Sequence, residues 1–265
     1  MLIDTHCHLD AAEFDADRND VTQQALQQGV SNIVIPAVSR DNFDTVIALC
    51  KTYKHCAYAL GIHPMYVDNA SADDVAVLNT YVKQNNPVAI GEIGLDYFLT
   101  KNNIERQTYF FTEQLKIAKQ YELPVILHVR HAVDDILKYL RKYQLVGGIA
   151  HAFNGSFQQA EQFIALGFKI GFGGAMTYSR ALKIRELAVK LPLEAIVLET
   201  DSPDIPPEWV GANGRNSPLE LPKIAQVLAD LRQLNIAQVV DITGANALEV
   251  LPKLAYLYTR PKVLH

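Results

Sequence analysis

One pattern constrains this 265-residue chain more than any other: short apolar runs alternate with longer amphipathic ones, eight times over. The apolar runs are Leu2–His8, Asn32–Val38, Cys56–His63, Val88–Leu95, Val125–Arg130, Gly147–Phe153, Phe168–Gly173 and Ala195–Asp201. Most are rich in Val, Ile, Leu or Phe, with little polar alternation. Strands buried on both faces look like this, as in a parallel sheet covered by helices. Helical periodicity fills the intervals, at about 17–28, 41–53, 72–85, 103–121, 132–143, 157–166, 180–190 and 218–234. Ser71 and Asp74 form a capping-box pattern ahead of the third helix. Gly29 and Gly167 stand where helices should end, and Pro87, Pro124 and Pro192 fall just before strands. A ninth helix, about 237–250, is expected to pack on the outside.

Eight βα units in a chain of this length predict a closed TIM-type (β/α)₈ barrel, a single domain over residues 1–265. A doubly wound sheet is the alternative, but it gathers few strands around its one switch point.

Barrel chemistry sits at the carboxyl ends of the strands. The first run ends in His6 and His8, the third in His63, and the fourth holds Glu92 followed by Asp96. The fifth ends in His128 and Arg130, the sixth holds His151, and the eighth ends in Glu199 and Asp201. Five of the eight histidines occupy these ends, which a random scatter would rarely produce.

His6 and His8, two apart on a strand, should share one face and aim both imidazoles into the barrel mouth. Paired neutral nitrogens suit zinc, manganese or iron; the plainer reading is two polar residues at a strand end. Glu92 follows a run of apolar and small residues, where a carboxylate is costly unless neutralised. It either bridges cations with its two oxygens or pairs with Arg130 or a lysine. Gly91 and Gly94 beside it allow close approach of backbone or ligand. His128 and His151 could each be a satisfied core histidine, but their equivalent places on adjacent strands favour ligation. Asp201 should meet His6 and His8 across barrel closure, as a ligand and as a proton acceptor. Glu199 sits one layer deeper, either behind the ligands or on an optional extra metal. His63 and Arg130 are the candidate substrate contacts, since guanidinium forks suit phosphate oxygens; an ion pair is the plainer role for Arg130.

The bulk properties narrow the partners. A net charge of −5 argues against a broad basic face for nucleic acid, so metals and a few local cations would have to hold any phosphates. Three scattered cysteines, Cys7, Cys50 and Cys56, fit no disulfide framework and suit a reducing compartment. Neither a signal peptide nor an apolar run of membrane-spanning length is evident. The expected location is cytoplasmic, with no membrane association and no obligate protein partner. The tail at 255–265 carries aromatics suited to packing on the barrel or on a partner.

Taken together, the motifs resemble the TatD-related metal-dependent hydrolases, the TatD-type deoxyribonucleases, within the amidohydrolase-like barrels. The matching stretches are IDTHCHLD at 3–10, GIHP at 61–64, GEIGLDY at 91–97 and PVILHVR at 124–130. HAFNGS at 151–156, GFKIGFGG at 167–174 and ETDSP at 199–203 follow in family order. The resemblance implies two divalent metal ions, magnesium, manganese or zinc. It assigns His6, His8, Glu92 and Asp201 to one and Glu92, His128 and His151 to the other, with Glu92 bridging. It also implies hydrolysis of DNA phosphodiesters. A water activated between the metals would attack phosphorus, with Glu92 and Asp201 as the catalytic carboxylates.

Three departures are visible. Ala152 stands where the family often has Cys. GIHPM lacks a second histidine after its proline. The loop VGANGRNSP at 210–218 keeps Arg215, Asn216 and Pro218 but lacks the lysine and glutamate of the basic stretch found in typical nuclease members. These changes suggest a side branch of the family. They keep open a small-molecule phosphoesterase using the same metals, and more remotely a catalytically idle metal-binding interaction module. The carbamylated-lysine type of amidohydrolase barrel ranks lower, because Glu92 occupies the place of its lysine.

Overall fold

In the computed structural model, which describes residues 1–98 and 103–255, the eight apolar runs form one parallel sheet in sequential order. The strands are β1 Leu2–Asp4, β2 Val30–Pro36, β3 Cys56–Leu60, β4 Ala89–Asp96, β5 Val125–Arg130, β6 Gly148–Ala150, β7 Phe168–Phe172 and β8 Ile196–Leu198. The helices between and after them are α1 Arg18–Gln27, α2 Phe43–Thr52, α3 Ala72–Asn85, α4 Ile104–Gln120, α5 Val133–Tyr143, α6 Phe157–Ala165, α7 Leu182–Lys190, α8 Leu221–Arg232 and α9 Ile236–Val250. This is the expected (β/α)₈ barrel. The seam between β8 and β1 is not a full ladder; it closes through the Thr5 amide on the Leu198 carbonyl at 3.1 Å and the Asp201 amide on the His6 carbonyl at 2.8 Å. The tail beyond Ala255 lies outside the described residues.

Local signals read from the sequence are satisfied. Ser71 and Asp74 make the reciprocal capping box of α3. Gly29 and Gly167 take φ of 93° and 83°, the left-handed turn that ends α1 and α6 without a Cβ penalty.

Two apolar layers follow from the two-residue period of each strand. One face, with Leu2, Ile33, Ile35, Ile90, Leu127 and Ile170, packs against the helices. The other, with Ile3, Val34, Ala59, Ala89, Ile126, Ile149 and Val197, fills the barrel interior. The expectation for α9 needs correcting: its end and the following turn do not simply lie outside. Val250, Leu251 and Leu254 join the interior cluster. Burying each such side chain contributes roughly 1.5–3 kcal/mol.

Candidate metal centre

The carboxyl ends of β1, β4, β5, β6 and β8 bring the expected residues together, though fewer of them lie on strands than the apolar runs suggested. β1 stops at Asp4 and β8 at Leu198, so His6, His8, Glu199 and Asp201 belong to the segments just beyond. His151 likewise follows β6. The i, i+2 argument for His6 and His8 therefore rested on the wrong element. The buried clasp around Asp4 turns them inward instead. Asp4 accepts from the amides of His6 at 3.3 Å and Thr200 at 3.0 Å, and from the Thr200 hydroxyl at 2.7 Å. Sequence reasoning passed over Asp4; a lone carboxylate inside an apolar strand was the available signal.

The expected equivalence of His128 and His151 holds. Leu127 pairs with Ala150 in the β5–β6 register, which sets the next residues side by side. Backbone strain gathers here too: Ala152 and Asp201 sit at φ of 44° and 58°, a region costly for residues with a side chain. Glu199 and Asp201 lie beyond β8 and Asp201 is left-handed, so the shared strand face expected for the two is not what places them.

Glu92 is the hub. It is 2% exposed. Its Oε2 lies 3.2 Å from His6 Nε2 and 3.5 Å from His8 Nε2. Its Oε1 lies 3.0 Å from His128 Nδ1, 3.0 Å from His151 Nε2 and 3.3 Å from His63 Nε2. Asp201 Oδ1 completes the first side, 3.5 Å from His6 Nε2 and 3.7 Å from His8 Nε2. Three sets of ligand atoms fall within 4.8 Å of one another: His6, His8 and Asp201; His6, Glu92 and His151; and His63, Glu92 and His128. The set expected around the second metal is thus divided, with His151 grouped with His6 and His128 with His63.

The donor set fits divalent cations. His6 Nε2 and His8 Nε2 stand 3.2 Å apart and converge on the same carboxylate oxygen. Two imidazole nitrogens at that spacing match ligands about 2.0–2.1 Å from a shared ion. Among the described residues, buried His6 Nδ1 has no hydrogen-bond partner. Neither has His151 Nδ1; Glu199 Oε1 is 3.7 Å from it, an ion-pair distance too long for a hydrogen bond.

Electrostatics reflect the crowding. Burial pushes the Glu92 carboxyl up, but the charges of His63, His151 and His6 and the His128 hydrogen bond outweigh it and hold the carboxyl well below its usual range. Burial and the neighbouring His151 drive His6 well below the usual histidine value. His8 goes the other way: burial pulls it down, but hydrogen bonding to Glu92 and the charges of Glu92 and Asp201 lift it to about 9. Burial raises Asp201 to about 6, against the pull of His151 and His8.

Around the hub, Asp96 Oδ2 meets His128 Nε2 at 3.0 Å. The sequence marked Asp96 at a strand end without giving it a task; its task is to fix the far nitrogen of His128. The Arg130 guanidinium stacks 4.0 Å over Phe98 and lies 3.9 Å from Asp96, with a 43% exposed side chain. Arg130, the alternative partner considered for Glu92, faces Asp96 instead. Gly94 and Gly91 do permit close approach, of β5 backbone and Ile126 rather than of a ligand.

Comparison with known proteins agrees with this geometry. A family described as TatD related DNase matches residues 3–252. The chain is 43% identical over 236 residues to the uncharacterized metal-dependent hydrolase YjjV of Escherichia coli, covering 88% of this chain and 90% of that protein. The crystal structure of YjjV from E. coli superposes with a TM-score of 0.91 at 39% identity, over 95% of this chain and 98% of that one. The 3'-5' ssDNA/RNA exonuclease TatD of Cronobacter sakazakii is 31% identical, over 93% of this chain and 96% of that protein. The chain belongs to the TatD-related DNase family and is a metal-dependent hydrolase.

Proposed function

We propose that this hydrolase cleaves phosphoester bonds with two divalent ions, and that DNA phosphodiesters are its substrate. One observation carries the reading: the two oxygens of buried Glu92 are each faced by their own imidazoles, His6 and His8 on Oε2, His128 and His151 on Oε1. His6, His8, Asp201 and Glu92 would hold one ion, and Glu92, His128 and His151 the other. Magnesium, manganese or zinc there would supply Lewis-acid chemistry.

The residues of the chain do the rest. Asp201, whose Oδ1 lies 3.5 Å from His6 Nε2 and 3.7 Å from His8 Nε2, accepts the proton of the attacking water. Arg130 binds a phosphate oxygen through its exposed guanidinium, which Phe98 supports from below. Asp96 orients His128 by a hydrogen bond to its far nitrogen, as outer carboxylates do around metal-binding histidines, and the Glu199 carboxylate steers His151 by charge from 3.7 Å. The products are a phosphate monoester end and a sugar hydroxyl. The name of the C. sakazakii relative supports nucleic acid as substrate.

A second reading, a small phosphoester as substrate, is favoured by one observation. Arg215, the surviving cation of the loop at 210–218, is committed elsewhere: it makes two hydrogen bonds to Asp17, at 2.8 and 2.6 Å, and lies 4.8 Å over Phe14.

The test is hydrolysis by metal-stripped protein resupplied with magnesium, manganese or zinc. End-labelled single-stranded DNA and a mononucleotide ester serve as substrates, beside Asp201→Asn. Metal-dependent cleavage of DNA that the variant loses supports the proposal. Cleavage of the mononucleotide ester alone moves the enzyme to the second reading. Inactivity on both with every metal overturns phosphoester hydrolysis.

A further inference from the structure

His63 stands in one of the three groups of ligand atoms, with Glu92 and His128. Proximity alone would make it a metal ligand. Its other nitrogen argues otherwise. His63 Nδ1 accepts the backbone N–H of Met65 at 3.1 Å, capping the single 3₁₀ turn Pro64–Tyr66. A neutral imidazole carries its hydrogen on one nitrogen and a lone pair on the other. With the Nδ1 lone pair taken, the hydrogen resides on Nε2, and a nitrogen bearing hydrogen has no electron pair for a cation.

The ring is held in this state. The His63 amide donates to the Val38 carbonyl at 2.9 Å, and its carbonyl accepts from the Tyr66 amide at 2.9 Å. Gln114 grips the preceding Ile62 from both sides, accepting from its amide at 2.7 Å and donating to its carbonyl at 3.0 Å. Turning the ring over would set carbon against the Met65 N–H. His128 and His151 differ: their far nitrogens face the carboxylates Asp96, at 3.0 Å, and Glu199, at 3.7 Å. Behind His128 the acceptor is within hydrogen-bond range, where it holds the far N–H and frees the near lone pair for a metal; behind His151 a carboxylate faces the far nitrogen at ion-pair range. His63 alone among the three imidazoles on Glu92 Oε1 has a donor behind it.

We infer that His63 is a fixed hydrogen-bond donor, giving Nε2–H to an anionic phosphoryl oxygen of the substrate, and is not a metal ligand. The inference rests on the proposed phosphoester hydrolysis for the identity of its acceptor. The ring meets Tyr66 edge-on at 6.1 Å, and Tyr66 is 44% exposed, so His63 lies just beneath the mouth of the barrel. The Nε2 faces Glu92 Oε1 at 3.3 Å, and with that oxygen engaged by a cation the held N–H would be left to stabilise developing charge on the substrate.

The experiment has three readouts on the full chain. Nitrogen-15 spectra of the imidazoles report the tautomer, with Nε2 protonated and Nδ1 not, before and after zinc is added. Metal content of His63→Ala equals that of the wild type. Its kcat on a phosphodiester falls on the order of 10²- to 10³-fold with little change in KM, and His63→Gln, which keeps an N–H donor, regains part of the loss. Thermal melting confirms that both variants fold. A metal lost from folded His63→Ala, a zinc-shifted Nε2 without hydrogen, or an unchanged kcat overturns the inference. A wild-type enzyme inactive on every phosphoester overturns the proposed function and with it the acceptor named here. The tautomer and the metal count then still decide whether His63 ligates.

Discussion

Asp4 and Thr200 are joined across the seam of the barrel by two hydrogen bonds, from the Thr200 amide at 3.0 Å and its hydroxyl at 2.7 Å. The clasp holds the start of the chain against the segment that carries Asp201. Asp4→Ala strands buried donors, each costing roughly 1–3 kcal/mol. Asp4→Asn keeps an acceptor for the amides and should lose much less. Burial lifts the Asp4 carboxyl to about 7, against the pull of the Thr200 hydrogen bonds. A raised carboxyl favours the folded state at low pH, and that contribution is lost as pH climbs from about 4 through 7. Asp4→Asn does not titrate, so in metal-free protein its stability relative to wild type should improve over that window. Urea midpoints at pH 5 and 8 decide it; a gap that stays constant refutes the titration.

Metal binding should release protons. His8, lifted to about 9, and His151, held well above the usual value against burial by Glu92 and Asp201, are protonated at pH 7 in the metal-free site. A cation must displace those protons, so affinity rises with pH by up to about tenfold per unit for each one. The metal-free fold has the opposite trend. Stability from His8 is full below about 6.5 and lost as pH rises through 9. Calorimetric titration of zinc in buffers of different ionisation enthalpy reads the released protons directly, and a count of zero would contradict this picture.

Two glycines should respond differently to alanine. A Cβ at Gly94 would overlap the His128 backbone carbonyl, which cannot move without parting β4 from β5. Gly94→Ala should therefore fail to accumulate as folded protein. A Cβ at Gly171 would overlap the Glu199 carboxylate, the end of a side chain that also accepts from the Ala152 amide at 2.5 Å. Gly171→Ala should fold, but with Glu199 displaced, His151 less well oriented and metal bound on the order of 10- to 100-fold more weakly. Equal metal affinity in folded Gly171→Ala would mean that Glu199 does not orient His151.

The capping box of α3 gives a prediction remote from the centre. Burial raises the Asp74 carboxyl, but the Ser71 amide, Arg40 and the Ser71 hydroxyl lower it further. Its stabilisation is thus present above about pH 4 and lost as pH falls below it. Asp74→Asn should cost about 0.5–2 kcal/mol at pH 7, mostly from the cap, because Arg40 is half exposed. The difference in urea midpoint from wild type should hold between pH 7 and 5 and shrink as pH falls below 4; a difference that grows instead would assign the loss to packing.

The barrel was legible because buried parallel strands and their glycine and proline punctuation leave local marks, and the helix bounds fell within a few residues of the observed ones. The convergence of His6, His8, Glu92, His128, His151 and Asp201 was legible for the same reason: strand order fixes which run ends face one another. Short-range conformation was not legible. The left-handed turns at Ala152 and Asp201 leave no local mark, so the strand face assumed for Glu199 and Asp201 was not the geometry that sets them. The tasks of Asp4 and Asp96 depend on partners nearly 200 and 32 residues away, which no local pattern encodes. The nitrogen by which His63 is held is likewise a matter of one backbone amide.

The interior of the barrel is completed by side chains from its far end of sequence. Val250, Leu251 and Leu254 pack with Ile3 of the first strand, and α9 adjoins both β1 and β8. A growing polypeptide can pair its early strands as they emerge, yet their inner faces stay partly uncovered until residue 254 is available. Synthesis at about 5–20 residues per second makes that an exposure of many seconds. Completion of the interior is therefore a late step, in which the end of the sequence closes over strands laid down first.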